Sequence, residues 1–219
     1  MTAPSWLQPL LTAVEVPDGG FPGRVDAPMD GVRRSAVLIL FGEGPSGPDV
    51  LLIERSPHLR SHAGQPAFPG GGIDSTDDGP VAAALREAEE ETGLDPAGVD
   101  VLAVLPELWV PPSGNVVTPV IAWWREPSDV HPADVREVAA VARVPVAELA
   151  EPANRLVIWH PSGRSGPAFE VADMLVWGFT AFVLDRLLEL GGWARPWDTE
   201  RRSELPAETL RLAMRQRER

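Results

Sequence analysis

Apolar and polar residues fall in blocks whose lengths and periods predict a chain of mixed strands and helices. Val32 to Phe41 is a nearly unbroken apolar run of strand length, Gly42 to Pro48 carries turn residues, and Val50 to Glu54 is a second short strand, so a hairpin is expected. Arg55 to Pro69 then reads as a long loop. Val99 to Val110 and Val116 to Trp124 predict two more strands, joined by the turn-rich Pro111-Pro112-Ser113-Gly114-Asn115. Val135 to Val144 is expected to be extended and Val146 to Leu149 to turn into a short helix. Leu156 to His160 and Pro167 to Val171 predict strands around the Gly163 to Gly166 turn, and an amphipathic helix is expected from Met174 to about Leu190. Near the ends, Trp6 to Val14 predicts a short helix followed by a Pro/Gly-rich connector from Pro17 to Pro28. Leu205 to Arg219 predicts a charged terminal helix.

One helix carries an unusual pattern. Pro80 follows Asp78 and Gly79, the Ala82 to Leu85 run propagates a helix, and Gly93 ends it, so a short helix of about three turns is predicted. At about 100° per residue, Glu87, Glu90 and Glu91 share one arc, because they stand at i, i+3 and i+4. Val81, Ala84, Leu85 and Ala88 lie on another arc that can face a core, and Glu89 points away from the other three acids. Like charges at this spacing cost a few tenths of a kcal/mol per pair, roughly, in an isolated helix. A hard divalent cation held by oxygen ligands would offset that cost. A solvated acidic face is the simpler reading of a lone EExE run. Upstream, however, Phe68-Pro69 leads into Gly70, Gly71 and Gly72, a backbone that can approach a ligand closely and that runs straight into the acidic helix.

Composition narrows the picture. The chain has 219 residues, 19 basic against 32 acidic side chains, and a formal charge of −13. A nucleic-acid backbone needs a basic face, so nucleic acid is an unsuitable partner. A phosphate-rich small molecule would have to be met by metal ions and arginines within the site. With no cysteine, disulfide and thiol chemistry are excluded, which fits a reducing compartment. No apolar run approaches the roughly 20 residues of a membrane span, and the N-terminus does not read as a signal peptide, so a soluble, cytoplasmic protein is expected.

The segment from Gly72 to Leu94 resembles the Nudix box, G-x5-E-x7-R-E-U-x-E-E-x-G-U with U aliphatic. Gly72, Arg86, Glu87, Ala88, Glu90, Glu91, Gly93 and Leu94 occupy their places, and Asp78 stands where the first Glu is expected. Asp74 and Asp77 are alternatives for that outer acid. The preceding stretch, Leu51-Leu52-Ile53-Glu54-Arg55-Ser56 followed by Arg60, Gly64 and Phe68-Pro69-Gly70-Gly71, is similar to the signature of the coenzyme A diphosphatase branch. Ile53 alone departs from it, replacing Thr. Val117-Thr118-Pro119-Val120 and Trp177-Gly178-Phe179-Thr180-Ala181 resemble later stretches of the same branch, although strand and helix packing account for both.

The resemblance implies an α/β (α+β) fold, the Nudix α/β/α sandwich with a mixed β-sheet between helices. Residues 31–190 would form the hydrolase domain, residues 1–30 an N-terminal extension and residues 191–219 a C-terminal tail. It also implies Mg2+ or Mn2+ held by Glu87, Glu90 and Glu91, with Arg86 orienting a neighbouring carboxylate and the Gly70 and Gly71 backbone cradling a diphosphate. Arg55 and Arg60 would clamp phosphate, and either a box glutamate or Glu137 would act as base. Ordinary surface charge explains a single arginine or Glu137 equally well, and His62 reads as a packing residue. The expected substrate is coenzyme A or acyl-CoA. An ADP-ribose or nucleotide-sugar diphosphatase is the competing enzyme, and a non-catalytic Nudix ligand-binding module the competing class. A homodimer is expected from the family.

Overall fold

The computed structural model describes residues 3–16, 20–21, 32–59, 62–110, 114–161 and 163–214. A 3-10 turn, Ser5–Leu7, leads into α1, Gln8–Val14, as the apolar spacing from Trp6 implies. Most of the connector from Pro17 to Pro28 lies outside the described residues.

The hairpin is longer than its apolar segments. β1 spans Arg33–Gly44 and β2 spans Gly47–Arg55, with Phe41 opposite Val50 and Gly44 opposite Gly47. Within the expected loop two short strands form, β3 at Pro66–Ala67 and β4 at Gly70–Gly72. β4 pairs antiparallel with β1, and a Cβ on Gly70 would stand 2.3 Å from the Ala36 carbonyl oxygen, so only glycine allows this approach. Then comes α2, Pro80–Thr92, closed by Gly93 in the left-handed region at φ 70.

The next strand divides into β5, Val99–Val104, and β6, Leu108–Val110, both antiparallel to β7, Asn115–Trp124. Pro106 sits at the break, where it can give no ladder hydrogen bond. β8, Val138–Pro145, pairs with β2 and passes into α3, Val146–Ala150. β1 and β7 run parallel, so the main sheet is mixed, in the order β3-β2-β1-β7-β5 with β4, β6 and β8 attached.

A second sheet follows from β9, Arg155–Trp159, β10, Ser165–Val171, and β11, Met174–Val176. Here the expected start of the last long helix is corrected. Ala172 and Asp173 both take positive φ, 49° and 59°, and reverse the chain in two residues, so Met174 pairs back to Val171 as a strand. The helix itself, α4, begins at Gly178 and runs to Leu190. β12, Arg202–Glu204, pairs parallel to β9, and α5, Ala207–Met214, follows it; the last five residues of the expected terminal helix lie outside the described residues.

The main sheet is covered on both faces, the α/β/α layering of the expected sandwich. Alternation along the strands sends Leu38, Leu40, Leu51 and Val120 toward Ala83, Ala84 and Ala88 of α2. Ile39, Phe41, Val50 and Leu52 face the other way, onto Leu10 of α1 and Leu184, Leu187 and Leu188 of α4. Trp6 meets Phe41, Trp123 and Trp193 edge-on or tilted, which seats α1 against the sheet and the segment after α4. Arg155, buried and ion-paired to Asp185 of α4, lies over the rings of Phe169 and Trp197, so the second sheet is held to the same helix.

Candidate active site

The site is built where the end of β2, the glycines of β4 and the second half of α2 meet. Alanines on one face bring α2 close to the sheet, Glu91 continues that buried stripe, and Glu87 and Glu90 lie on its flank. Glu91 is buried, 2% exposed, because it faces the sheet edge beside β4. Its carboxylate accepts the Gly70 amide at 2.9 Å and faces the Arg55 guanidinium at 3.3 Å. Burial pushes its carboxyl up to about 7; the Gly70 bond and Arg55 act against this, and the charges of Glu87 and Glu137 add to it.

Glu87 lies under β4. A Cβ on Gly71 would stand 2.4 to 2.5 Å from the Glu87 carboxylate, so the second glycine is a seat for that group. Burial raises the Glu87 carboxyl too, Arg86 opposes this, and Glu90 and Glu137 reinforce it.

Arg86 is the junction of the site. Its Nε and Nη2 donate to the two oxygens of Asp77, both at 2.9 Å, in the bidentate fork that suits a guanidinium. Nη2 also donates to the Gly72 carbonyl at 3.1 Å, while Nη1 donates to Glu87 at 3.0 Å and Glu90 at 3.2 Å. Among the three candidate outer acids, then, Asp77 is the one this arginine grips, and that bond holds the Asp77 carboxyl below its usual range. Asp74 stands 3.8 Å from the same guanidinium, and its amide donates to Asp77.

Glu137 reaches the site from a loop that spacing alone does not connect to it. Asp134 organises that loop: its side chain accepts the Arg136 amide and guanidinium, and its carbonyl accepts the amides of Glu137 and Val138. His131 and Ala133 donate their amides to Thr92 and Glu91, two of the last carbonyls of α2. The Glu137 carbonyl accepts the Ser56 amide at 2.8 Å, next to Arg55.

The structure thus brings together Arg55, Gly70, Gly71, Arg86, Glu87, Glu90, Glu91 and Glu137. Arg60 lies outside the described residues, and His62 bonds Gln65 within the loop at 3.0 Å. The loop through His131 and Asp134 went unanticipated, its only local signal being the Asp134-x-Arg136 pair.

Among the described residues, no three acidic or imidazole side chains converge into a closed cation site. Glu91 is turned to Gly70 and Arg55, and Glu90 to Arg86. The donor set nevertheless fits a hard divalent cation in its chemistry. It offers carboxylate oxygens whose charges raise one another's protonation, beside a backbone bare of side chains.

Comparison with known proteins identifies the family and the fold. Residues 31–162 match the NUDIX domain, more than half of the chain. The chain is 43% identical over 173 residues to the uncharacterized Nudix hydrolase NudL of Klebsiella pneumoniae, covering 75% of this chain and 85% of that protein. It is 42% identical over 168 residues to NudL of Escherichia coli strain K12, covering 73% and 83%. A NUDIX hydrolase structure from Nitrosomonas europaea superposes with a TM-score of 0.50 at 16% identity, covering 81% of this chain and 82% of that one, a likeness of fold.

Proposed function

The chain belongs to the Nudix hydrolase family, whose members act on diphosphate bonds with divalent metal ions, and we propose that this one cleaves coenzyme A or its acyl derivatives. The products would be 3′,5′-ADP and (acyl-)4′-phosphopantetheine. One observation carries this reading. Two residues of the stretch that resembles the coenzyme A branch, Arg55 and Gly70, meet Glu91 of the acidic helix directly.

Glu87, Glu90 and Glu91 would hold Mg2+ or Mn2+, which neutralises diphosphate charge and acidifies the attacking water. Arg86 positions Glu87 and Glu90 through fixed donors while Asp77 fixes Arg86. The diphosphate would lie along the Gly70 to Gly72 turn on its open side at Gly72, where nothing stands within 4 Å of the Cβ position, while Gly70 and Gly71 make room for the Ala36 carbonyl and the Glu87 carboxylate that shape the turn. Arg55 lies beside the same turn, and its side chain, 24% exposed, would offer part of its guanidinium fork to a phosphate oxygen while it faces Glu91.

Water adds across the anhydride. Its oxygen bonds to one phosphorus, the bridging oxygen leaves with the other phosphate, and its proton goes to a carboxylate. Glu137 is our assignment for that acceptor. Both Glu91 oxygens are engaged, whereas the Glu137 side chain is exposed and has no hydrogen bond or ion pair among the described residues. We further propose a cytoplasmic homodimer. No described helix is long and apolar enough to cross a membrane.

The test is initial-rate hydrolysis of coenzyme A, acetyl-CoA, ADP-ribose, NADH and dinucleoside polyphosphates with Mg2+ or Mn2+. Highest kcat/KM for a coenzyme A compound is expected. Preferential turnover of ADP-ribose would reject the substrate and keep the family. Light scattering on the purified chain measures the assembly, and a monomer mass would remove the dimer.

A further inference from the structure

Beyond the residues that match the family, α5 comes back to the site. It is anchored on the outer face of the second sheet, where Leu205 and Leu210 pack with Leu156, Ile158 and Ala168, and its first turn is closed by the Leu210 amide on the Pro206 carbonyl at 2.9 Å. From there Leu212 reaches the loop ahead of the acidic helix. Its Cδ1 stands 2.9 Å from where a Cβ on Gly64 would be, so the methyl lies directly on bare backbone.

Gly64 is no ordinary loop residue. Its amide donates to the Arg55 carbonyl at 3.0 Å, and the Arg55 amide donates to the neighbouring Gln65 carbonyl at 3.1 Å. Arg55 in turn faces Glu91. A continuous path of contacts therefore runs from Leu212 through Gly64 and Arg55 to the buried acid. On the far side of this loop, Thr180 of α4 donates to the Pro66 carbonyl at 3.1 Å, so the loop is held from two directions.

We propose that Leu212 is a positioning residue for Arg55, acting through the backbone of Gly64, and that it tunes the affinity for the diphosphate substrate. The inference rests on the phosphate-clamp role given above to Arg55. Glu87, Glu90 and Arg86 are reached by no part of this path, and Glu91, at its end, keeps its separate bond from the Gly70 amide, so the effect falls first on substrate binding through Arg55. Leu205 and Leu210 keep the helix docked when Leu212 is shortened.

The experiment compares wild type, Leu212→Ala and the conservative Leu212→Met, each also combined with Arg55→Ala. It measures KM and kcat on whichever diphosphate the wild type turns over best, and amide exchange at Arg55 and Gly64. Leu212→Ala should raise KM about 3- to 10-fold with kcat within about twofold, Leu212→Met should restore wild-type KM, and the Leu212→Ala effect should vanish beside Arg55→Ala. Exchange of the Arg55 and Gly64 amides should quicken about tenfold or more in Leu212→Ala. An unmoved KM, or an equal rise with and without Arg55, overturns the proposal. If the wild type hydrolyses none of the diphosphates, the functional reading fails. The exchange measurement still decides this proposal, and unaltered exchange overturns it.

Discussion

The Gly70 amide donates to the Glu91 carboxylate at 2.9 Å, so one buried side chain ties the glycine turn to the acidic helix. Glu91→Gln keeps an oxygen for that amide and removes the charge. We expect the fold to be retained by circular dichroism while turnover falls about 10²- to 10⁴-fold. Retention of more than a tenth of wild-type kcat would remove Glu91 from the reaction.

Gly71 seats Glu87 with no room to spare. Gly71→Ala should therefore cost about 10²-fold in activity, because a misplacement of about 1 Å is enough to do so. Gly166, in the second sheet with nothing within 4 Å of its Cβ position, serves as control, and Gly166→Ala should stay within about twofold of wild type.

Arg86 is gripped by Asp77, although the family pattern places its outer acid at Asp78. Asp77→Ala should lower kcat about 10- to 100-fold, the usual effect of losing an outer partner of a metal site, and Asp78→Ala should be nearly silent. The reverse order of damage would mean that Asp78 is the functional acid.

Cation binding has a signature independent of turnover. Mg2+ or Mn2+ at about 100 times its Kd stabilises a folded protein by about 2.7 kcal/mol. The wild-type melting temperature should rise on titration with either ion and return on addition of a chelator. Glu87→Gln and Glu90→Gln should each shrink the rise, and an undiminished rise in both would place the ion elsewhere.

Asp134 gives the pH dependence of the Glu137 loop. Its bonds to Arg136 lower its carboxyl from 3.8 to about 2. A lowered acid contributes stability that is complete above its unfolded pKa and disappears as pH falls through the folded one. The excess stability of wild type over Asp134→Asn should thus be constant above about pH 5 and decline from pH 3.8 downward, most of it lost by about pH 2. Chemical denaturation along that pH range measures it, and a difference undiminished at pH 2 would contradict the assignment. The pair is exposed, so added salt should reduce the difference.

Legibility in the sequence followed the range of the interactions. The helix from Pro80 to Thr92 was readable because Pro80 and Gly93 mark its ends and its alanines mark its buried face. The β1 and β2 hairpin was readable from unbroken apolar runs. The strand at Met174 was hidden because its turn is made by Ala172 and Asp173, without the glycine or asparagine that usually announces positive φ. β12 was hidden for another reason: all three of its residues are exposed, and only backbone pairing to β9 defines it. Within the candidate site, the shared arc of the glutamates came from helical geometry. The preference of Arg86 for Asp77 over Asp78 depends on how the turn after Ile73 folds, which spacing does not encode. The contact of Glu137 with Ser56 spans more than eighty residues and has no local signature.

Two backbone donors, at His131 and Ala133, set how far Glu137 stands from the end of α2. Because amides are common to nearly all residues, genetic drift in the exposed side chains of this loop, such as Val135 at 74% exposure, leaves the spacing intact. Its length is a different matter. If Glu137 acts as proposed, a deletion between residues 131 and 137 would carry it out of reach, so homologues that share that role should vary freely here in identity and hardly at all in residue count.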